Sequence, residues 1–284
     1  MAPGVALALG AMVLLGFVDL VYKRGTAAGV QAHHFLMLQG WFFLPGVLAY
    51  GIATGTFAPA PYMLWGMAAG LFVLVALYNF ARALASGGVS VIAPIFRLSF
   101  TVTTALAVLL LSEPLTAWKL AGLATALCAV WLLLGADAGA APARRTARAA
   151  LAHALVAMAA MGVANFLYKV GAAAGGIPAT FIAGQALVFT PLATAFAWKV
   201  DGAIRPPPRG WRYGAATAAL FLVALVMLFE SLALGEASVL VPISQMGFVV
   251  TAAVGVLFMR EPFTLRKACG IAFALAALAC LAKS

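Results

Sequence analysis

The stretch Gly16 to Gly29, GFVDLVYKRGTAAG, is answered 146 residues later by Gly162 to Gly175, GVANFLYKVGAAAG, with seven of fourteen positions identical. The correspondence resumes at an offset of 148, where fifteen of the thirty-one positions from Leu84 to Pro114 match those from Leu232 to Pro262. Pro94 pairs with Pro242, Ser90 with Ser238 and Glu113 with Glu261, residue types that an Ala/Leu bias does not supply by accident. The chain is an internal duplication, and the unit duplicated decides the architecture.

Composition says what kind of unit it is. Of 284 residues, 65% are hydrophobic and 8% charged, with a mean hydropathy of +1.10, outside the balance of a soluble domain. A helix needs about 20 apolar residues to cross the hydrocarbon core. Ten such runs are legible, roughly 4 to 22, 35 to 53, 62 to 84, 89 to 111, 117 to 135, 149 to 168, 179 to 198, 211 to 234, 238 to 259 and 265 to 282. The expected fold is an all-α integral membrane protein of ten transmembrane helices, with one five-helix repeat over 1–138, a second over 149–284, and a short polar linker at 139–148. Uninterrupted apolar runs lack the alternation of a membrane barrel. Trp65, Trp118, Trp198, Trp211, Tyr62 and Tyr213 fall near span ends, where amphipathic rings settle at the headgroups. The first run lacks a basic leader region, and its Tyr22-Lys23 recurs as Tyr168-Lys169, so it reads as a structural helix. An odd number of crossings per repeat makes the second copy enter from the opposite side, which is the inverted-repeat architecture of secondary transporters.

Two longer motifs repeat as well: ALASGGVSVIAP (83–94) with SLALGEASVLVP (231–242), and SEPLT (112–116) with REPFT (260–264). On these the chain resembles, over essentially its whole length, the EamA-like ten-helix branch of the drug/metabolite transporter superfamily. The resemblance implies carrier-type transport and leaves the substrate open, because the family includes exporters and importers of amino acids, nucleotide sugars, phosphorylated metabolites and cationic compounds. It also implies that the last helix of each repeat stands outside the cavity, which fits spans 5 and 10, nearly devoid of polar residues beyond Thr125 and the cysteines.

Several classes are excluded by what the sequence lacks. No G-x-x-x-x-G-K-[ST] is present, so transport has to draw on a gradient rather than on nucleotide hydrolysis. The seven acids form no D-D-x-x-D or H-E-x-x-H and no Ser/His/Asp set, so no enzyme and no cofactor is expected. Cys128, Cys269 and Cys280 have no metal spacing and read as small packing residues. His33, His34 and His153 sit at span edges outside any H-x-x-x-H pattern and read as interfacial, so no metal is expected. The net charge of +10 does not point to nucleic acid, because twelve of the 17 Lys and Arg fall in or beside the loops after odd-numbered spans. Positive residues in short loops stay cytoplasmic, which places both termini on the outer side of the cell inner (plasma) membrane. The partners expected are the bilayer and a small-molecule substrate, for a chain acting as a monomer.

Candidate site residues come from the few charges inside spans. Arg97 lies about nine residues into span 4, where a charge costs at least about 2.5 kcal/mol unless it faces a cavity or a partner. Pro94 removes a backbone hydrogen bond and loosens the carbonyl of Ser90, as Pro242 does for Ser238, so two kinked helices are expected, with Arg97 on one and Gln245 at the equivalent place on the other. Arg82 and Glu230 are equivalent residues near the ends of spans 3 and 8; Arg82 can snorkel to the adjacent loop, and Glu230 is a candidate proton-coupling carboxylate. Asp19, Tyr22 and Lys23 share a helical face, as do Asn165, Tyr168 and Lys169; Asp19 either neutralises Lys23 or balances Arg97, and it too is a proton-coupling candidate. Gln39 and Gln185 align and can bond across helices. This mixed set with a positive surplus suits an amino acid or another zwitterion or organic anion, moved by alternating access; export is the direction that the family resemblance implies. A lipid or lipid-linked flippase and a carrier of cationic compounds are the alternatives.

Overall fold

The computed structural model describes residues 2–86, 92, 95–134, 144–258 and 264–283, and every regular element among them is helical. In chain order these are α1 (Pro3–Ala27), α2 (Ala32–Ala53), α3 (Met63–Ser86), α4 (Ser99–Leu111), α5 (Ala117–Leu134), α6 (Arg144–Ala173), α7 (Pro178–Asp201), α8 (Gly210–Leu234), α9 (Ala237–Gln245), α10 (Gly247–Phe258) and α11 (Leu265–Ala282). Seven described segments are long and apolar enough to cross a membrane, and Ile95–Leu111, Ala117–Leu132 and Ala268–Ala282 are shorter apolar helices. Each of the ten expected runs therefore holds an apolar helix. Trp65, Trp118, Trp198 and Trp211 all lie on the outer surface, as residues of a headgroup belt do.

The duplication persists down to single contacts. Both copies of the first span end in the same turn, with Gly29 at φ 85° and Gly175 at φ 73°, a left-handed conformation that glycine adopts without steric cost. In each copy the amide of the next residue reaches back to close it, Val30 to Gly25 and Gly176 to Gly171, both at 3.0 Å. Gly25 leaves room for the ring of Phe35, as Gly171 does for Phe181. Those rings pack on Tyr22 and Tyr168, with centroids 4.8 Å apart in both copies.

Spans 4 and 9 are broken rather than merely kinked, and at equivalent residues. A helical turn over 95–97 gives way at Leu98 before α4, and α9 gives way at Met246 before α10. The two junctions close alike: Leu98 N–H to Ile95 O and Met246 N–H to Ile243 O at 3.1 Å, then Thr101 N–H to Leu98 O and Val249 N–H to Met246 O at 2.9 Å. Pro242 lies inside α9 and removes one rung of its ladder; Pro94 and Ser90, expected to do the same in span 4, lie outside the described residues.

Each junction is also where the other repeat leans in. Thr251 of α10 donates to Gly16 O of α1 at 3.1 Å, and its equivalent, Thr103 of α4, donates to Gly162 O of α6 at 3.0 Å. A Cβ on Gly16 would lie 2.6 Å from Gly247 O, and one on Gly162 2.8 Å from Ser99 O. The largest packing contacts are likewise between copies: α1 on α8, α3 on α6, α2 on α8, α3 on α7, and, as self-matched pairs, α2 on α7 and α5 on α11. Gly66 and Gly70 of GMAAG serve the α3–α7 contact, Gly70 facing Gln185 O.

The cysteines correct an expectation. Cys128 and Cys269 are exposed and Cys280 is half-buried, so none is a core packing residue. The α5–α11 seam is made where Gly122 meets Leu281, and Cys128 lies six residues on, about 240° round the helix from that seam.

Candidate functional site

Arg97 is the last residue before the break in span 4, and its guanidinium pairs with Asp19 of α1. Of the two partners open to Asp19, Arg97 is one that it pairs with in the structure. The side chains keep 18% and 29% of their surface, so the pair is only partly buried. Burial of either charge alone is costly, and mutual neutralisation at a helix break is how such groups are tolerated inside a bundle. One turn on from Asp19, Tyr22 donates to Gln39 of α2. Lys23 follows at the exposed end of the same face.

The second copy repeats this layout without the charges. Tyr168 donates to Gln185, but Asn165 stands where Asp19 is and Gln245 where Arg97 is. Asn165 is buried, and its Nδ2 finds no hydrogen-bond partner among the described residues. Lys169 turns to α8 and donates to Leu232 O at 2.9 Å and Gly235 O at 2.6 Å, satisfying carbonyls at that helix's C-terminal end. Chain order puts the Asp19–Arg97 pair toward the face rich in Lys and Arg, and Asn165 and Gln245 toward the opposite face.

On that opposite face lies a polar cluster of which the sequence reading assigned only Ser238, as a kink residue. Glu113, in the loop after α4, accepts from Ala237 N–H at 2.8 Å and Ser238 N–H at 2.9 Å. A carboxylate is thereby fixed on the positive end of α9, where free amides and the helix dipole both favour it. Ser238 is fully buried, and its hydroxyl has no described partner. Lys119, fully buried, donates to Pro114 O at 2.6 Å and pairs with Glu236. The sequence marked Glu113 by its repeat as Glu261 and Ser238 by its repeat of Ser90; Glu261 and Ser90 lie outside the described residues.

Two site candidates stand apart from Asp19 and Arg97. Arg82 donates to Tyr78 at 3.1 Å and, with Tyr78, Phe196 and Lys199, lines a groove of about 670 Å³ between α3 and α7. Glu230 is exposed on α8.

Comparison with known proteins agrees with this architecture. A solved crystal structure of a protein 18% identical superposes with a TM-score of 0.82, covering 99% of this chain and 98% of that one, a likeness of fold. An uncharacterized protein of Methanocaldococcus jannaschii is 36% identical over 59 residues, which are 21% of this chain and 43% of that protein. The chain thus spans less than half the length of that curated relative. The model of the EamA-like transporter family matches residues 148–282. The likeness to the EamA-like transporter family thus falls on the second repeat, which is built on the same plan as the first.

Proposed function

We propose that the chain is a gradient-driven carrier of a small zwitterion or organic anion, an amino acid being the simplest case. The observation that carries this reading is the ion pair at the broken span, Arg97 with Asp19. A zwitterion can part such a pair, its carboxylate taking the guanidinium and its ammonium taking Asp19. Each protein charge then keeps a counter-charge, so the desolvation cost of binding is offset. The buried amide of Asn165, which has no hydrogen-bond partner among the described residues, offers a donor to a carboxylate on the opposite side of the path. Asp19 is the proton-coupling carboxylate of this reading, since protonating it releases Arg97 for an anionic group. Alternating access exchanges the surroundings of the charged and the neutral copy of the site. The charge-rich loops support a basic face turned to the cytoplasm of a plasma membrane, and export is the direction proposed.

A lipid-flippase reading has one observation in its favour, the groove between α3 and α7 with Arg82 and Lys199 at its wall. Arg97 does not line that groove, which weighs for the solute carrier. Purified protein in proteoliposomes tests both: a labelled amino acid should exchange under an imposed pH gradient, and Arg97→Ala should abolish it while leaving the protein folded. Movement of quaternary ammonium compounds with no carboxylated solute, or of labelled lipid alone, would overturn the proposal.

A further inference from the structure

His33 and His34 open α2, and Asp201 closes α7. In sequence Asp201 stands 168 and 167 residues from the adjacent His33 and His34. In the fold their side chains converge. His33 Nε2 lies 3.1 and 3.2 Å from the two carboxylate oxygens of Asp201, and His34 Nε2 lies 2.7 Å from one of them. The imidazole rings are 4.3 Å apart, and one ligand atom from each residue fits within 4.8 Å of the other two. Both histidines are buried, whereas the Asp201 side chain keeps 27% of its surface, so solvent reaches the group from one side.

We propose that His33, His34 and Asp201 form a binding site for one divalent transition-metal ion of the zinc class, which clamps α2 of the first repeat to α7 of the second. Two imidazole nitrogens and a carboxylate, with one side open to water, are the donor set of a three-ligand zinc site. Imidazole selects zinc, nickel or cobalt over magnesium and calcium, which require oxygen ligands. Bond lengths of about 2.0–2.2 Å separate neighbouring ligand atoms by roughly 3.0–3.5 Å; the His33–Asp201 distances already fall in that range, the 2.7 Å His34–Asp201 contact opens slightly, and ligand atoms up to 4.8 Å apart draw together around the ion. Asp201 also sits at the negative end of the α7 dipole, the wrong end for its own charge, and a cation against it corrects that mismatch.

Divergence between the repeats supports the assignment. The equivalent positions are Ala179, Thr180 and Gly55. There Thr180 closes the gap by donating to Ala58 O at 3.0 Å and accepting from Ala58 N–H at 3.1 Å. A hydroxyl on a backbone is enough to hold that end of the bundle, yet the basic face carries two imidazoles and a carboxylate instead. Since α2 and α7 pack against each other across the pseudo-axis, an ion here holds the two halves together on one face, and transport slows while it is bound. The site is independent of the substrate assigned to Arg97 and Asp19.

The test uses the purified full-length chain, stripped of metal by chelator, with Cys128, Cys269 and Cys280 changed to alanine to remove thiolate binding. Zinc chloride should raise the melting temperature with one ion bound per chain, magnesium chloride should not, and cobalt chloride should give the visible absorption of a low-coordinate nitrogen and oxygen site. Asp201→Asn and His34→Ala should each weaken binding by more than the about 10–100-fold that outer-sphere partners cost. His153→Asn, at a ring bonded to Asn79 at 2.8 Å, should leave binding unchanged. No zinc-specific shift in the parent protein, or a shift that survives Asp201→Asn, overturns the proposal; if His34→Ala fails to fold, the near-isosteric Asp201→Asn and the cobalt spectrum decide.

Discussion

At Asp19 and Arg97 one copy of a repeated site holds two charges, where Asn165 and Gln245 of the other hold none. Truncating one partner leaves the other charge stranded inside the bundle, so Arg97→Gln should lower stability by about 1–3 kcal/mol, between the values for exposed and sealed pairs. Adding Asp19→Asn makes the first copy a neutral replica of the second and should recover most of that loss in a detergent thermal melt, while substrate exchange stays absent. Equal stability of the single and double variants would show that the pair is not coupled. Arg97 was legible in the sequence because its depth in an apolar run had to be explained, and Asp19 because chain order put it in the same half of the bundle. Asp201 and Glu113 were not legible as partners: their bonds, to His33 and His34 and to Ala237 and Ser238, cross more than a hundred residues, and neither sits at a depth that demands one.

The broken spans depend on backbones that touch. Gly16 of α1 meets Gly247 O at the junction of α9 and α10, where an added Cβ would come within 2.6 Å of a carbonyl oxygen that cannot rotate away. Gly16→Ala must therefore push α1 off the junction, and overpacking of this kind costs about 1–3 kcal/mol. Gly46→Ala, on α2, is the control: the nearest atom to its Cβ is a Leu222 methyl at 3.6 Å, so the helix propensity of alanine should leave stability unchanged or raise it by up to about 1 kcal/mol. A thermal melt that ranks the two the other way would contradict the packing. Prolines and glycines repeated at fixed offsets announced these features in the sequence. What they did not announce was a full break instead of a kink, since the closure at Leu98 and Met246 is set by the helix lying against each junction.

Across the whole molecule, the matched contacts join one repeat to the other, α1 to α8 and α10 on one side and α6 to α3 and α4 on the other. The duplication and its five-helix period could be read directly, because apolar run length and repeat offset are local properties of a sequence. The interlocking of the halves could not, because apolar faces do not name their partners. It has a consequence for folding: each repeat leaves exposed the glycine-lined backbone surfaces that the other covers, and in lipid, where no hydrophobic force drives helices together, close packing is what holds them. Cutting the chain within 139–143 and expressing the fragments together should therefore give a complex that co-purifies and keeps its substrate-induced thermal shift. Either fragment expressed alone should fail to accumulate as a folded monomer in the membrane. A half that folded stably alone would mean that contacts within one repeat, rather than those between the two, carry the fold, and that the halves pivot as finished bodies.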